Sequence, residues 1–447
     1  MKKRLLTILA LLANVVLAAV AQDTPAITFE APATERTITI GLNAVGKKVS
    51  VDWGDGTIVE KESAADTWGD PADIDITGTP CGTVKIYGED IVSFTAFTPY
   101  AADATEITGG ITKIDLSKAA NLTALDVHQN NLTSVDLSEL TALTKLAIGV
   151  NDFETIDLSA NTELTSVDLS NGKNNGKLTY IDFSKNTKLT TIVLSGNKLT
   201  SLDLSKNTQA KTITVLNNQL NSITLGANAN KNHSINLGNN KLTSVDLSQF
   251  SNLTGSYIYL RDNDLTGDAI RLPEGMTVKR LWVDGNAYTL AQLYALKSLA
   301  TQTFTYATTF TKAQAQQPYA IAESINVGET VDLSSQAVLG ETATVFSWKN
   351  AEGTALVEGT DYTVNNGVFT FLTAQEAIHA EMTNAELNAF TAEKPYMTTT
   401  LKVTIPTGIT SIKTINDKSV YYNLNGQRIA TPTKGMFIQN GKKVIKK

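Results

Sequence analysis

The middle of the chain repeats a pattern that is complete in the stretch Leu199-Thr-Ser-Leu-Asp-Leu-Ser-Lys-Asn-Thr-Gln-Ala-Lys-Thr-Ile-Thr-Val-Leu-Asn-Asn-Gln-Leu220. Apolar and polar residues alternate at two places in it, at Leu202-Asp-Leu204 and at Ile213-Thr-Val215, and Asn218 follows the second place. Alternation with a period of two is typical of a short strand that buries one face. Each unit therefore predicts two short strands joined by turns.

The second strand and its asparagine recur at a nearly constant interval. The pattern apolar-x-apolar-x-x-Asn ends at Asn130, Asn151, Asn197, Asn218, Asn240, Asn263 and Asn286. In one longer unit, which contains Val167 and Leu169, we assign the same position to Asn175, so that the steps are 21, 24, 22, 21, 22, 23 and 23 residues. Since one coil cannot bury its own apolar face, the repeat predicts stacked coils around one continuous core. The asparagine carboxamide can bond backbone groups that each turn leaves unpaired.

The first strand of each unit carries an aspartate. These aspartates are Asp115, Asp136, Asp157, Asp182, Asp203 and Asp246, and Thr224 takes the place in one unit. Like charges about 4.8 Å apart on neighbouring strands repel by roughly 0.9 kcal/mol even in bulk water. We therefore expect hydrogen bonds from nearby hydroxyl or backbone groups to offset the repulsion. The alternative is a face of the molecule that binds cations.

The combination of Leu-Thr-Ser-Val/Leu-Asp-Leu-Ser with Leu-x-Leu-x-x-Asn, over about residues 110–299, carries a family resemblance. It resembles the nested leucine-rich repeats of some internalins and of many surface proteins of the Bacteroidota. The resemblance implies a solenoid that recognises a protein or glycan ligand. The predicted fold class is mainly β, with this solenoid over residues 110–300 and a β-sandwich on either side of it.

Two regions precede the repeats. Residues 1–21 have a basic start, an apolar core and a small-x-small end at Ala19-Val-Ala21, as a secretory signal peptide has; the alternative, a membrane anchor, needs a longer apolar run. Residues 22–109 contain strand-like stretches, and Val51-Asp-Trp-Gly-Asp-Gly56 resembles the motif of PKD-like β-sandwich domains. That resemblance implies a buried Trp53 and a tight turn. We expect this β-rich domain to cap the first coil.

The repeats are followed by a short helical cap, predicted over Tyr288 to Leu299. Residues 301–317 are rich in Thr, Ala and Gln and predict a linker. Residues 318–405 alternate again, with a hairpin turn signal at Asn366-Gly367. We interpret this region as an immunoglobulin-like β-sandwich.

The last segment, residues 406–447, carries a second resemblance. Ser419-Val-Tyr-Tyr-Asn-Leu-Asn-Gly-Gln-Arg428, followed by Lys434-Gly-Met-Phe-Ile and the terminal Gly441-Lys-Lys-Val, is similar to the C-terminal sorting domain of type IX secretion substrates. It implies recognition by export machinery, transit across the outer membrane, and then release or surface attachment. The segment carries a charge of +7, so the rest of the chain carries −14 of the total of −7. An acidic body argues against nucleic acid as a partner.

Catalytic residues are hard to assemble from this sequence. The chain has three histidines, His128, His233 and His379, which fall in different structural regions, and one cysteine, Cys81, which we expect to be a small buried side chain. No nucleophile, phosphate-loop, dinucleotide or metalloprotease motif is present. We predict a protein that is not an enzyme and needs no cofactor. The alternatives are a secreted enzyme or enzyme accessory with paired carboxylates in a terminal sandwich, and a purely structural surface component.

A calcium loop is suggested by Asp262, Asp264 and Asp268, with Gly267 at the sixth position. The match then fails, because Pro273 stands at the twelfth position, where a bidentate glutamate is needed. Asn263 also belongs to the asparagine column, which needs no ion. We predict no metal site, and leave cation binding here as the alternative.

The exposed face of the second strand is the natural recognition surface. Its central residues are, in order along the chain, Asp126, Ala147, Asp168, Val193, Thr214, Asn236, Tyr259 and Trp282. Aromatic residues and arginine are enriched in binding hot spots, so we predict that the ligand contacts Tyr257, Tyr259, Arg261, Arg280, Trp282 and Asp284. The alternative is that these aromatics pack against the cap helix or the downstream sandwich. With export signals at both ends, the predicted location is the cell surface or the medium, with no transmembrane span.

Overall fold

The computed structural model describes residues 24–98, 109–172, 175–305, 316–406, 421–423, 426–429, 435–439 and 442–446. The predicted signal peptide lies outside the described residues. The chain divides into two compact units. The first comprises the residues up to Tyr288 together with Ala295–Gln317, and the second comprises Thr289–Tyr294 and the residues from Pro318 onward. In the part of the chain described, no helix is long and apolar enough to cross a membrane.

The N-terminal part of the first unit is built from short antiparallel strands. Within residues 24–98 they are β1 (Ile27–Glu30), β2 (Arg36–Leu42), β3 (Lys48–Asp52), β4 (Ile58–Glu62), β5 (Ile74–Gly78), β6 (Thr83–Tyr87) and β7 (Ile91–Thr95). Trp53 is buried, as the motif implied. Asp52 Oδ1 accepts hydrogen bonds from the amides of Gly54 and Gly56, which closes the turn. Cys81, expected to be buried, is exposed, because it lies in the turn beside Gly82 and not in a strand.

The repeats form a β-solenoid of about eight turns. Its strands are β8 (Lys113–Asp115), β9 (Ala124–Asp126), β10 (Lys145–Ala147), β11 (Ser166–Asp168), β12 (Thr191–Val193), β13 (Ser201–Leu204), β14 (Thr212–Thr214), β15 (Ser222–Leu225), β16 (Ser234–Asn236), β17 (Val245–Asp246), β18 (Tyr257–Tyr259), β19 (Ile270–Arg271), β20 (Val278–Trp282) and β21 (Ala300–Thr305). The predicted cap helix is present as α1 (Leu290–Lys297), whose residues are divided between the two units. The central apolar residue of each main strand, from Leu125 to Leu281, is at most 2% exposed. These residues form the continuous core that the repeat predicted.

Two sheets run through the first unit, and each continues from the N-terminal part into the solenoid. The strand order of the larger sheet is β21-β20-β18-β16-β14-β12-β11-β10-β9-β7-β2-β5, and that of the smaller is β4-β3-β6-β1-β8. The junctions are β7 with β9, which is parallel, and β1 with β8, which is antiparallel. Residues 22–109 are therefore not a separate compact unit; they cap the first coil by sharing its sheets.

The C-terminal end of the solenoid differs from the predicted linker over residues 301–317. Ala300–Thr305 is strand β21, and it extends the larger sheet by pairing in parallel with β20. Gln316 also joins the last coil, because its side chain accepts from the Tyr288 amide and donates to the Val283 carbonyl. The polar residues at the start of the predicted linker thus belong to an edge strand, and residues 306–315 lie outside the described part of the chain.

The asparagine column is a ladder of buried carboxamides. Asn240 shows the arrangement: its Nδ2 donates to the carbonyls of Val215, Leu237 and Gly238, and its Oδ1 accepts from the Leu220 amide. The Nδ2 bond to the carbonyl three residues before recurs at Asn130, Asn151, Asn197, Asn218, Asn263 and Asn286. The Oδ1 also accepts from a backbone amide of the preceding coil at Asn130, Asn151, Asn218, Asn263 and Asn286. Each carboxamide thus ties its own turn to the neighbouring coil.

The longer unit breaks this ladder, and the assignment of Asn175 to it was wrong. Asn175 is exposed. The buried asparagine of the unit is Asn171, which lies one residue early and whose amide donates to the Ser195 carbonyl. A cavity of about 10 Å³, lined in part by Asn151, Asn171 and Asn197, marks the irregular coil. The regular ladder position of this unit, five residues after Val167, is occupied by the exposed Gly172.

A second asparagine column, which the sequence reading missed, lies at the other turn of the coil. Asn161, Asn186 and Asn207 are at most 3% exposed, and Asn228 is buried as well. Asn207 Nδ2, for example, donates to the carbonyls of Phe183 and Asn186 in the preceding coil. The signal was Ser-x-Asn-Thr after the first strand of three successive units.

The second unit is also mainly β. Its strands are β22 (Ser324–Asn326), β23 (Thr330–Asp332), β24 (Val338–Leu339), β25 (Thr342–Ala343), β26 (Val345–Asn350), β27 (Tyr362–Asn365), β28 (Val368–Phe371), β29 (Gln375–Thr383), β30 (Tyr396–Met397), β31 (Leu401–Thr404), β32 (Tyr421–Tyr422), β33 (Arg428–Ile429), β34 (Gly435–Gln439) and β35 (Lys442–Lys446), with 3-10 turns at Ser334–Gln336 and Ala385–Leu387. Trp348 packs edge-on against Phe369 and Phe371 in its core. The predicted hairpin turn is confirmed, since Asn366 and Gly367 have positive φ and join paired strands. The immunoglobulin-like and sorting-domain interpretations stay predictions.

Candidate functional site

One exposed row of side chains crosses the larger sheet. Strand register places the following residues side by side: Thr95, Asp126, Ala147, Asp168, Val193, Thr214, Asn236, Tyr259, Trp282 and Thr305. The central positions identified in the sequence are therefore neighbours on one face. The row is small or acidic over the first coils and aromatic over the last two.

The aromatic end of the row is an ordered stack. Tyr259 and Trp282 occupy paired positions on β18 and β20. Their ring centroids are 4.3 Å apart and their planes differ by 14°. Both side chains are half-buried. The stacking stabilises the two rings in one orientation while part of each stays open to solvent.

Two cations lie next to the stack. The guanidinium of Arg280 is 5.4 Å from the ring centre of Tyr257 and 5.9 Å from that of Trp282. Lys279 Nζ is 5.3 Å from the same tyrosine ring, and its hydrogen bond to the hydroxyl lowers the pKa of Tyr257. Neither cation forms an ion pair with a carboxylate among the described residues.

Lys279 was not predicted for the site. Arg280 is the register partner of Tyr257 on β18, and Lys279 directly precedes it, so both cations lie beside the Tyr257 ring. Lys279 stands before the alternating stretch Arg280-Leu-Trp282, so the sequence reading did not count it among the residues of this face. The sequence signal was the polar pair between Val278 and Leu281, both of which are buried.

Asp284 does not lie on the surface, contrary to the prediction. Its side chain is fully buried, and its Oδ2 is 3.6 Å from Arg261 Nη2. Arg261 also binds Asp262, at 3.2 Å from Nε to Oδ2. Asp284 thus holds the guanidinium of Arg261 from the buried side of the sheet. It is buried because the main strand ends at Trp282, and the turn that follows directs the Asp284 side chain inward. The C-terminal patch, as we use the term, consists of Tyr257, Tyr259, Arg261, Lys279, Arg280 and Trp282.

The opposite end of the same face has a different chemistry. His128 Nδ1 hydrogen-bonds Asp126 Oδ1, and this bond raises the pKa of His128. The imidazole stacks on Phe97, with ring centres 5.0 Å apart and planes 14° apart. The other two histidines lie elsewhere: His233 packs edge-on against Phe250, and His379 lies 3.6 Å from Glu381 in the second unit.

The aspartate column makes local bonds. In each unit Oδ1 accepts from the amide of the serine two residues on, as in Asp136 with Ser138 and Asp182 with Ser184. These amide bonds, with the serine hydroxyls, lower the pKa of both aspartates. These hydrogen bonds stabilise the ionised aspartates and so offset the repulsion between neighbouring coils. Among the residues described, no three His, Cys, Asp or Glu side chains form a group suited to a metal ion.

Comparison with known proteins adds little beyond the fold. No protein-family model matches the chain, and no curated protein matches it. Similar solved structures include the functional domain of InlJ from Listeria monocytogenes, at 15% identity and a TM-score of 0.24, over 72% of this chain and 93% of that one. The internalin InlF from the same organism is similar at 17% identity and a TM-score of 0.20, over 48% of this chain and 87% of that one.

A third similar structure is YopM from Yersinia pestis, described as a leucine-rich effector protein. The identity is 23% and the TM-score 0.30, and the match covers 47% of this chain and 52% of that one. This chain thus spans about half the length of that protein. With scores this low, the repeat architecture rests on the strand register and the asparagine ladder.

Proposed function

We propose that this chain is a non-enzymatic binding protein that holds a protein partner against the exposed face of its larger sheet, at the C-terminal patch. The observation that carries the proposal is the stacked pair Tyr259 and Trp282, flanked by Lys279 and Arg280 without carboxylate partners among the described residues. Ordered aromatic rings beside arginine are the usual composition of a binding hot spot. The rings are already fixed, so little side-chain entropy is lost on binding.

The geometry of the stack favours a protein over a sugar at this patch. Tyr259 and Trp282 cover one face of each other, and Arg280 lies over the tryptophan ring. Two cations without carboxylate partners among the described residues lie beside this pair. A partner that presents an apolar side chain next to an aspartate or glutamate would fit both features.

The proposed location is outside the cell, at the surface or in the medium. Two sequence features support it: the signal-like residues 1–21 and the similarity of residues 406–447 to a type IX sorting domain. Intact mass of the mature protein tests the first feature, since the chain should begin at Gln22. A mature protein that retains Met1 would contradict it.

A peptide-display selection tests the binding site. We expect a random peptide library displayed on phage and selected against the full chain to yield peptides with an acidic residue next to an apolar one. Their affinity should fall by roughly 30-fold or more in the double variant Tyr259→Ala/Trp282→Ala, which is the effect of losing a hot spot of about 2 kcal/mol. It should also fall with added salt, because Lys279 and Arg280 are only half-buried, so salt screens their attraction to the acidic residue of the peptide.

The matched control is Tyr180→Ala, which removes a tyrosine that is 63% exposed and lies outside the main strands. This variant should bind the selected peptides as the parent does. Thermal unfolding of each variant shows whether the fold is kept. Peptides that bind the double variant and the parent equally would place the site elsewhere and overturn the proposal.

A further inference from the structure

The N-terminal end of the larger sheet holds an open cleft of about 320 Å³. It is lined chiefly by Thr37, Thr39, Asp75, Thr77, Thr95 and Phe97. Ligand pockets in proteins begin at about this size. The cleft lies on the same face as the C-terminal patch but at the other end of the sheet.

Strand register arranges the lining in two rows. Asp75, Thr39 and Thr95 are side by side across β5, β2 and β7. The second row contains Thr77 opposite Thr37. Thr39 donates to Asp75 at 2.5 Å, and the hydroxyls of Thr37 and Thr77 are 2.8 Å apart. The cleft floor is therefore a fixed array of hydroxyl groups with one carboxylate.

One aromatic ring stands at the side of this array. Phe97 is 39% exposed, although it is apolar. Its ring stacks on His128, which is in turn held by Asp126. The ring is thus fixed in place while part of it stays open to solvent. A fixed aromatic surface beside hydroxyl groups is complementary to a ring that is apolar on its face and polar at its rim.

The charges of the cleft exclude anionic ligands. Asp75 and Glu35 are exposed carboxylates of the lining. The arginine of the lining, Arg36, is buried, and its guanidinium donates to Thr98 and to the Gly109 carbonyl. No cation of the lining is thus left exposed to neutralise a phosphate or a carboxylate.

We propose that this cleft binds a neutral saccharide. A pyranose ring packs its carbon-bound hydrogens on Phe97, its hydroxyl groups donate to Asp75, and the threonine hydroxyls supply further donors and acceptors. The site is independent of the C-terminal patch, so the protein carries two recognition sites of different chemistry on one sheet.

Native affinity electrophoresis of the full chain tests the proposal. The gels contain mannan, xylan or mixed-linkage β-glucan, and polygalacturonate serves as the acidic comparison. We expect retardation by at least one neutral polysaccharide and none by polygalacturonate. Phe97→Ala should lower the apparent affinity roughly tenfold or more, and Asp75→Asn several-fold, because each removes one of the two kinds of contact.

Two control variants separate this site from the other. Tyr259→Ala/Trp282→Ala and Tyr180→Ala should migrate as the parent does in every gel. Absence of retardation by all three neutral polysaccharides would overturn the proposal, as would equal retardation of Phe97→Ala and the parent. Loss of retardation in the Tyr259/Trp282 variant would assign saccharide binding to the C-terminal patch, which also overturns it. The peptide selection has a separate readout, so either site can fail alone.

Discussion

At the residue scale, the buried ladder asparagines fix how each coil is bonded to its neighbour. A carboxamide at the ladder position donates and accepts at once, as Asn240 does with four backbone groups. Aspartate has no donors when ionised, and would place a charge against three carbonyl oxygens. This is why the column tolerates almost no substitution across its units, and why it was readable in the sequence.

Alanine substitutions at three asparagines should rank by burial and bonding. We expect Asn240→Ala to lower the free energy of unfolding by about 3 kcal/mol, since it leaves several buried backbone groups unpaired. Asn171→Ala, in the irregular coil, should cost about 1 kcal/mol. Asn175→Ala should stay within about 0.5 kcal/mol of the parent, because the side chain is exposed. Urea unfolding followed by circular dichroism measures all three, and a larger effect at Asn175 than at Asn171 would contradict the assignment.

The sequence could not place the asparagine of the irregular coil. Residues 171–175 contain more than one asparagine, and periodicity alone allows either end of the insertion to be looped out. Of the two asparagines that the structure describes in this stretch, Asn171 is buried and Asn175 is exposed. The same limit applies to the binding residues. Tyr259 and Trp282 followed from alternation, but Lys279 precedes the alternating stretch of its strand, and Asp284 is buried in the turn that follows the strand.

At the scale of the elements, the turn after each main strand except β11 has a left-handed residue just before the ladder asparagine. The residues with positive φ at this place are Gln129, Val150, Gly196, Asn217, Asn239, Asp262 and Gly285. Glycine, asparagine and aspartate adopt this conformation readily, whereas a β-branched residue is strained in it. Val150, with φ of 53°, is therefore the weakest of these turns.

Replacing this valine should stabilise the protein. We expect Val150→Asn to raise the free energy of unfolding by about 1 kcal/mol, because the strain of a branched side chain at positive φ is removed. Val193→Asn is the control, since Val193 lies in the extended strand β12, where the same change should be neutral or destabilising. Equal shifts in the urea midpoint of the two variants would show that backbone strain at Val150 is not the cause.

On the scale of the whole molecule, the first unit has no break between cap and solenoid. The coils and their core were predicted from the sequence, because the same strand pattern occurs in eight units, and an uncertain strand in one unit is identified by comparison with the others. It did not show that β1 and β7 pair with the first coil, or that β21 extends the sheet, because pairing partners of short strands are set by tertiary packing. The domain boundary predicted at residue 109 therefore divides two sheets that the N-terminal strands and the solenoid share.

Removal of the cap should destabilise the coils. A chain that lacks residues 24–98 leaves the edges of β8 and β9 without partners and uncovers the apolar end of the core. We expect the thermal midpoint of the solenoid to fall by roughly 10 °C or more and the protein to self-associate. Calorimetry and light scattering measure the two effects. A monomeric product with an unchanged midpoint would show that the first coil needs no cap.

The larger sheet has a regular register from β7 to β18, and it therefore sets the distance between the two recognition sites. Seven strand-to-strand steps separate Thr95 in the cleft from Tyr259 in the patch, which is about 34 Å at the usual strand spacing. Gain or loss of one coil changes that distance by a single step of about 4.8 Å and leaves both ends intact. A glycosylated partner whose sugar and peptide epitopes match this distance would engage both ends at once, and the second contact would form at a high effective concentration. The number of coils then selects among ligands by length, independently of the chemistry at either end.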